Sequence, residues 1–298
     1  MTNSYINIKK NSDLVTVILL NYKDYCTTII SANIFLTYNG IDKIIIVDNH
    51  SENDSYTELR REYETSDKVD IIKTNANLGY AKGNNFGVQY AIDKSYNNDL
   101  LIANPDTTIT RDNFEIFLDT FFRLKKQNPN KMGALAPKID NVIVKPINIV
   151  NLKNDLLSNF MVATKIYNLF NRKKEKEKIF ESEMIHGSFF CIPLTTFIDV
   201  GMFDEDTFLY CEERILAFKL KSKGYFSFFS QMSEIKHNHQ DGGDKKSELF
   251  RYNEWKKSRK IFHHKYLHTN KFQDLLFNIS TYIGYVERAV YFSIKYRK

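Results

Sequence analysis

The chain has 298 residues, 43% of them hydrophobic and 26% charged, with only 11 Gly and 5 Pro. That is a globular composition with length enough for an ample core, and it excludes a disordered, collagen-like or disulfide-framework protein. The net charge of +6, from 42 basic and 36 acidic side chains, is small and mixed along most of the chain, so it is not a nucleic-acid footprint.

In chain order, VTVILL (Val15 to Leu20) has the length and β-branching of a strand buried on both faces. A helix is predicted from Asp24 to Tyr38, a buried strand from Ile44 to Val47, and a third strand from Val69 to Ile72. Ala81 to Lys94 reads as helix, and Leu100 to Ala103 as a fourth strand that ends in Asn-Pro-Asp. A helix from Asn113 to Lys125 carries Phe114, Phe117, Leu118, Phe121 and Leu124 on one face. This β-α-β-α rhythm predicts an α/β fold, a mostly parallel sheet with helices on both sides. Residues 139–183 are less regular, and their charge run RKKEKEK (Arg172 to Lys178) reads as a solvated helix or loop. Regularity returns at HGSFFCIP, then at FDEDTFLYCEE, a helix that stops at Gly224, a strand YFSFF and the His-rich KHNHQDGG.

Ligands of open α/β sheets bind at the carboxyl ends of the strands. The polar residues there are Asn21 and Tyr22, Asp48, Asn75 to Asn77, and Asn104 to Asp106, four groups predicted to converge on one edge. Each motif has two readings. Gly79, Gly83 and Gly87 recur every fourth residue, either to pack a helix tightly on the sheet or to bring backbone N–H groups and Asn84 or Asn85 to a nucleotide; the spacing matches neither a dinucleotide fingerprint nor a phosphate loop. Asn104-Pro105-Asp106 is either a simple turn or a carboxylate for a hard divalent cation with phosphate co-ligands. Glu212 and Glu213 either complement a helix dipole or supply a general base, the latter suited to their aromatic setting of Phe203, Phe208 and Tyr210. Of His237 and His239, alternate residues of a strand end, at most one faces the site.

The ordered segments VTVILLNYKDY, IIIVDNHS, NANLGYAKGNNFG, LLIANPDTTIT, HGSFFCIP, FDEDTFLYCEE and KHNHQDGG, over roughly residues 13 to 240, resemble the family 2 glycosyltransferases of the GT-A fold. Within that family they resemble the rhamnosyltransferase-like enzymes of bacterial surface polysaccharide synthesis. The resemblance implies a GT-A catalytic domain over 1–244, with a nucleotide-sugar half at about 13–138 and an acceptor half at about 139–244, followed by a helical C-terminal extension over 245–298. It implies that Asn21 and Tyr22 line the base pocket, that Asp48 hydrogen-bonds the pyrimidine, and that Gly79, Ala81, Asn84 and Asn85 contact the nucleotide. Asn104 and Asp106 stand where the family has its metal-binding DxD, so Asp106 is the main carboxylate for Mn²⁺ or Mg²⁺, and His237 completes the metal shell or contacts the diphosphate. Gly187 and Ser188 border the acceptor. Glu213 replaces the usual Asp of the family's Glu-Asp pair and is the implied base, with Glu212 second.

The implied activity is inverting transfer of a sugar from a UDP- or dTDP-sugar to a hydroxyl of a glycan acceptor, lipid-linked or not. Two other readings stay open. A sugar nucleotidyltransferase would carry a Gly-rich loop after the first strand, which LLNYKDY lacks. A non-catalytic glycan- or membrane-binding homologue would bind nucleotide without turnover. Cys26, Cys191 and Cys211 are odd in number and far apart, which fits reduced thiols in a cytoplasmic protein. The N-terminal MTNSYINIKKNSD lacks the apolar core of a signal peptide, and no run of about 18 apolar residues exists. From Lys245 to Lys298 bases clearly outnumber acids; Leu275 to Tyr296 mixes apolar and basic residues and suits an anionic membrane at the inner face, packing on the catalytic domain, or a homodimer interface.

Overall fold

The computed structural model describes residues 13–140, 146–160, 177–238 and 244–296. The first half is built as the apolar runs dictate. β1 (Val15–Asn21), β2 (Ile41–Asp48), β3 (Val69–Lys73) and β4 (Asp99–Ala103) run parallel in the order β3-β2-β1-β4. Alternate residues of β1 serve two cores. Val17 and Leu19 join Phe35, Phe114 and Phe117 on one face, while Ile18 joins Val47, Val88 and Ile102 on the other. That double burial is why these strands read as continuous β-branched runs and not as alternating ones.

The chain moves outward from β1 to β2 through α1 (Tyr25–Leu36), and to β3 through α2 (Ser55–Glu62). It then returns through α3 (Gly79–Asp93) to place β4 on the other side of β1. The order therefore reverses between β1 and β4, and a crevice at the carboxyl ends of those strands is where such sheets take ligands. The glycine stripe of α3 serves packing as well: a Cβ on Gly83 would stand 2.6 Å from Leu20 Cδ1, and one on Gly87 2.8 Å from Val47 Cγ2.

The second half departs from the predicted rhythm. The short β5 (Thr107–Ile109), α4 (Arg111–Gln127) and β6 (Met132–Ile139) follow β4, and the middle stretch contains a further helix, α5 (Leu152–Leu157). After β7 (Ile179–Glu181) and β8 (Phe189–Ile192), α6 (Leu194–Asp199) and α7 (Glu212–Ser222) lead to β9 (Phe226–His237). β8 runs antiparallel to both β4 and β6, β9 runs parallel to β6, and β9 takes β5 and β7 antiparallel. The strand read as YFSFF extends to His237, which places that histidine in the sheet. α7 stops where expected, with Gly224 at φ +76° just beyond it. His239 and most of the run Arg172 to Lys178 lie outside the described residues.

The C-terminal extension is helical, as expected: α8 (Lys245–Tyr266) and α9 (Lys271–Lys295). Asn270 and Gln273 form a capping box that starts α9. The extension is joined to the sheet domain by a buried charge cluster. The Asp155 carboxylate, on α5, lies 2.9 Å from Arg214 Nη1, 2.8 Å from Arg259 Nε and 2.7 Å from His263 Nε2. Burial alone would raise the Asp155 carboxyl, but the His263 hydrogen bond and the Arg214 and Arg259 charges outweigh it and hold the group well below the usual carboxylate range. Among the described residues, no helix is long and apolar enough to cross a membrane.

Candidate active site

The turn after β4 organises the strand-end site. Asn104 N–H donates to Ser188 O at 2.8 Å, tying it to the residue just before β8, and Thr107 closes the turn on Asn104 O through both its N–H and its hydroxyl. β5 then pairs with β9 in a register that sets Thr107 opposite His237. Asn238 N–H donates to Asp106 O at 2.9 Å, and His237 Nε2 comes to 3.3 Å from Asp106 Oδ1. Two residues 131 positions apart in the chain thus meet because one ladder register demands it.

The acidic pair approaches from the other side. Glu212 and Glu213 open α7, and the two residues before them, Tyr210 and Cys211, both hold left-handed backbone (φ +71° and +69°). Such conformations cost non-glycine residues of order 1–3 kcal/mol each and persist only where surroundings enforce them. Here Ser258 of α8 donates its hydroxyl to Leu209 O at 2.6 Å, and Asp155 grips Arg214 just after the pair. Glu213 reaches Gly187: a Cβ built there would lie 3.8 Å from Glu213 Oε2 and 3.9 Å from the Tyr80 hydroxyl.

Tyr80 links the parts. Its hydroxyl donates to Gly187 O at 2.6 Å and its N–H to Phe208 O at 2.9 Å. Burial first, then the charges of Glu212, Glu213 and Asp106, push that phenol well above its ordinary value. Gly79 makes the approach to Phe208 possible: its φ is +75°, and a Cβ there would fall 2.2 Å from Phe208 O. Sequence reasoning passed over Tyr80, although it stands between two flagged residues, Gly79 and Ala81; an aromatic side chain gave no sign that its hydroxyl would cross to a strand entrance.

The two carboxyls differ. Glu212 is only 3% exposed, and its Oε1 has no hydrogen-bond partner among the described residues. Burial, reinforced by the Glu213 charge, pushes it up to about 8. Glu213 is partly exposed, and desolvation raises its carboxyl too, against an opposing pull from Arg214.

At the β1–β2 end, Asn21 is buried and donates to Asp48 Oδ2 at 2.9 Å, while the Thr28 hydroxyl donates to Asn21 Oδ1 at 2.8 Å. Asp48 is fully buried, and its Oδ1 accepts from Ser51 N–H at 3.0 Å. Tyr22 is 44% exposed beside them. The neighbouring Asn49, not anticipated, braces the loop before α3 by accepting from Leu78 N–H and donating to Gly79 O. Asn84 donates to Tyr80 O at 2.9 Å, and its buried Oδ1 has no partner among the described residues. Two expected nucleotide contacts are turned elsewhere: Ala81 sits in the second core, and the Asn85 carboxamide is engaged at both ends by the Phe203 main chain and by Glu205.

His186 is a further unpredicted group. Its Nε2 lies 2.7 Å from Pro137 O, which can only accept, so Nε2 carries the proton and Nδ1 accepts from the Ser188 hydroxyl at 3.3 Å. Burial lowers this imidazole to about 4, so it stays neutral at pH 7.

Among the described residues, no three His, Cys, Asp or Glu side chains gather as a closed metal cage. Asp106 and His237 do offer a carboxylate oxygen and an imidazole nitrogen, and Asp106 Oδ1 is a buried atom with no hydrogen-bond partner among the described residues. Such an open pair fits a divalent cation that takes its other oxygens from a substrate's phosphates.

The comparisons agree with this architecture. A family model for glycosyl transferase family 2 matches residues 19–128. A low-salt glycan biosynthesis hexosyltransferase, Agl10 of Haloferax volcanii, is 24% identical over 226 residues, which is 76% of this chain and 67% of that protein. Among solved structures, GalNAc-T7 with UDP, GalNAc and Mn²⁺ aligns with a TM-score of 0.61 and 14% identity over 84% of this chain. The chain spans about half of that protein, 48%. The mannosyltransferase PcManGT from Pyrobaculum calidifontis, in complex with GDP-Man and Mn²⁺, gives 0.58 and 15% identity, covering 93% of this chain and 72% of its own.

Proposed function

We propose that the chain is a family 2 glycosyltransferase on a GT-A fold, an inverting, metal-dependent enzyme that moves a sugar from a UDP- or dTDP-sugar to a hydroxyl of a glycan acceptor in surface polysaccharide or glycan synthesis. The observation that carries this reading is the meeting of Asp106 with His237 at 3.3 Å, at a strand-end site whose Tyr80 feels Asp106, Glu212 and Glu213 together.

In this reading residues 1–244 are the catalytic unit. Asp48, Asn21 and Tyr22 receive the pyrimidine at the β1–β2 ends; the Asp48 oxygens keep lone pairs beyond those already used. Gly79 and Asn84, in the first two turns of α3, carry its nucleotide side, and Asn104 shapes the diphosphate end. Asp106 and His237 would hold Mn²⁺ or Mg²⁺, and the cation would supply positive charge against the charge that develops on the diphosphate leaving group. Gly187 and Ser188 border the acceptor, next to Glu213.

Glu213 takes the proton of the acceptor hydroxyl as its oxygen attacks the anomeric carbon. The bond from that carbon to the diphosphate oxygen breaks on the opposite face, and the nucleoside diphosphate leaves with the electron pair. One displacement of this kind inverts the anomeric centre. General-base assistance is worth about 10²–10⁴-fold. Glu212, buried and with its carboxyl pushed up to about 8, is held neutral at pH 7 and stands second to Glu213 as the base. The work is done in the cytoplasm, at the inner face of the membrane where the acceptor is lipid-linked.

A thermal-shift screen against UDP, dTDP, GDP and their sugars, with and without Mn²⁺, tests the donor. A ligand that binds only the folded state raises the melting temperature. UDP or dTDP with Mn²⁺ should raise it and GDP should not; no shift with either pyrimidine nucleotide would overturn the donor assignment.

A further inference from the structure

In most surface helices the apolar stripe faces the core and the charged face meets water. α9 is built the other way round. The residues it turns inward are Phe277, Ser280, Thr281 and Gly284, three of them small or polar. They dock closely on α8 and α5: Tyr252 donates to Thr281 O at 3.0 Å, Arg288 donates to Asn159 O at 2.7 Å, and a Cβ on Gly284 would stand 2.6 Å from Asn159 O. The outward face carries ten of the nineteen large exposed hydrophobic residues among the described ones. Phe272, Leu275, Ile279, Ile283, Val290 and Ile294 recur on it, each 46–67% exposed. From Phe272 to Ile294 the stripe is about 33 Å long at 1.5 Å per residue. A face this large and apolar marks an interaction surface.

Charge selects the partner. Residues 245–298 hold thirteen Lys and Arg against four Asp and Glu, a net +9; the remaining 244 residues hold twenty-nine against thirty-two, a net −3. The whole positive excess of the chain therefore lies in this C-terminal segment, whose second helix carries the stripe. Lys271 and Lys295 sit exposed at its two ends, and Lys245 reaches Ser293 beside its C-terminal turn. Tyr282 and Tyr291 lie on the outward face, with rings suited to a boundary between apolar and wet surroundings. A second copy would set one +9 extension against another, whereas an anionic surface is attracted by it.

We propose that α9 is a monotopic membrane anchor: its outward face lies in the headgroup–acyl boundary of an anionic bilayer, and the surrounding lysines and arginines pair with lipid phosphates. The anchor is rigidly joined to the rest of the molecule. Lys265 pairs with Asp204 and Asp206, and Ser258 holds Leu209, so α8 grips the segment that leads to Glu212 and Glu213. The inference rests on the two C-terminal helices and not on the transfer reaction, so its failure leaves the transferase reading standing.

Co-sedimentation of the full chain with vesicles tests it. Binding to phosphatidylcholine vesicles containing phosphatidylglycerol should be at least about tenfold stronger than to phosphatidylcholine alone and should weaken as salt rises. The double substitution Ile279→Glu with Ile283→Glu should reduce binding at least about tenfold, because two charges must then enter the apolar boundary. Lys271→Glu with Lys295→Glu should reduce the phosphatidylglycerol preference while leaving the melting temperature unchanged. Equal binding to both vesicle types, or to neither, overturns the proposal. So does a concentration-dependent dimer, seen by light scattering, that the Ile279/Ile283 variant abolishes while vesicle binding is unchanged.

Discussion

Replacing Glu212 by Gln isolates the cost of burying that carboxyl. In the folded chain the group is pushed up to about 8 from an ordinary 4.5, chiefly by burial, with Oε1 unpartnered among the described residues. Below pH 4.5 the acid is neutral whether folded or unfolded, and the shift has no effect on stability. As pH rises from there, the unfolded chain ionises and the folded one does not, so stability is lost progressively until the folded group also ionises near pH 8. At about 1.36 kcal/mol per pH unit, the loss is about 3 kcal/mol at pH 7 and reaches about 5 kcal/mol above pH 8 as an upper bound. Gln cannot ionise, but it leaves a buried amide whose unmade hydrogen bonds cost about 1–3 kcal/mol. The variant should therefore be more stable than the parent by about 2 kcal/mol or more at pH 8.5, and equal or less stable at pH 4.5. Urea denaturation across pH 4.5 to 9 measures this directly. Parallel stability curves for parent and variant would refute the reasoning, since they would mean that Glu212 is solvated or paired.

Glu213→Gln should lower kcat by about 10²–10⁴-fold with its fold intact, whereas Glu212→Gln, which mimics the neutral acid, should retain most of the activity; steady-state kinetics of the two separate base from bystander. Asp155→Ala should destabilise the chain by about 3–5 kcal/mol in denaturant titration, because it leaves the buried Arg259 and the half-buried Arg214 without their carboxylate. Gly79→Ala should lower the melting temperature and weaken nucleotide binding, since the new Cβ would meet Phe208 O at 2.2 Å with φ at +75°. Asn85→Ala should cost stability more than donor affinity, because its carboxamide holds Phe203 and Glu205; melting and nucleotide titration together check it.

The legible parts of the fold were those where one physical demand acts alone. β1, β2 and β4 are buried on both faces, so β-branched residues run through them without interruption, and the polar residues after each run mark the site edge. β6 hid because MGALAPKI holds a glycine, three small or proline positions and a register break at Pro137 to Lys138. β9 hid its length because its second half, Gln231 to His237, is rich in polar residues, as suits a strand packed less deeply. The chemistry was legible residue by residue and not in its pairings. Nothing in the spacing says that Thr107 faces His237, and that register alone brings the imidazole to Asp106. Likewise nothing in the spacing marks Asp155, Arg214, Arg259 and His263 as partners, and only the packing of α5, α7 and α8 brings them together. The outward stripe of α9 was visible as apolar residues among bases, but only the packing shows which face is turned out.

The most direct measurement is release of nucleoside diphosphate from a panel of UDP- and dTDP-sugars with Mn²⁺, for the parent, Asp106→Ala and Glu213→Gln, each first shown to melt like the parent. The parent should release UDP or dTDP, Asp106→Ala should lose both release and its response to Mn²⁺, and Glu213→Gln should still bind the donor while transferring at least about a hundredfold more slowly. Undiminished turnover in Asp106→Ala, or equal transfer rates in parent and Glu213→Gln, would contradict the account.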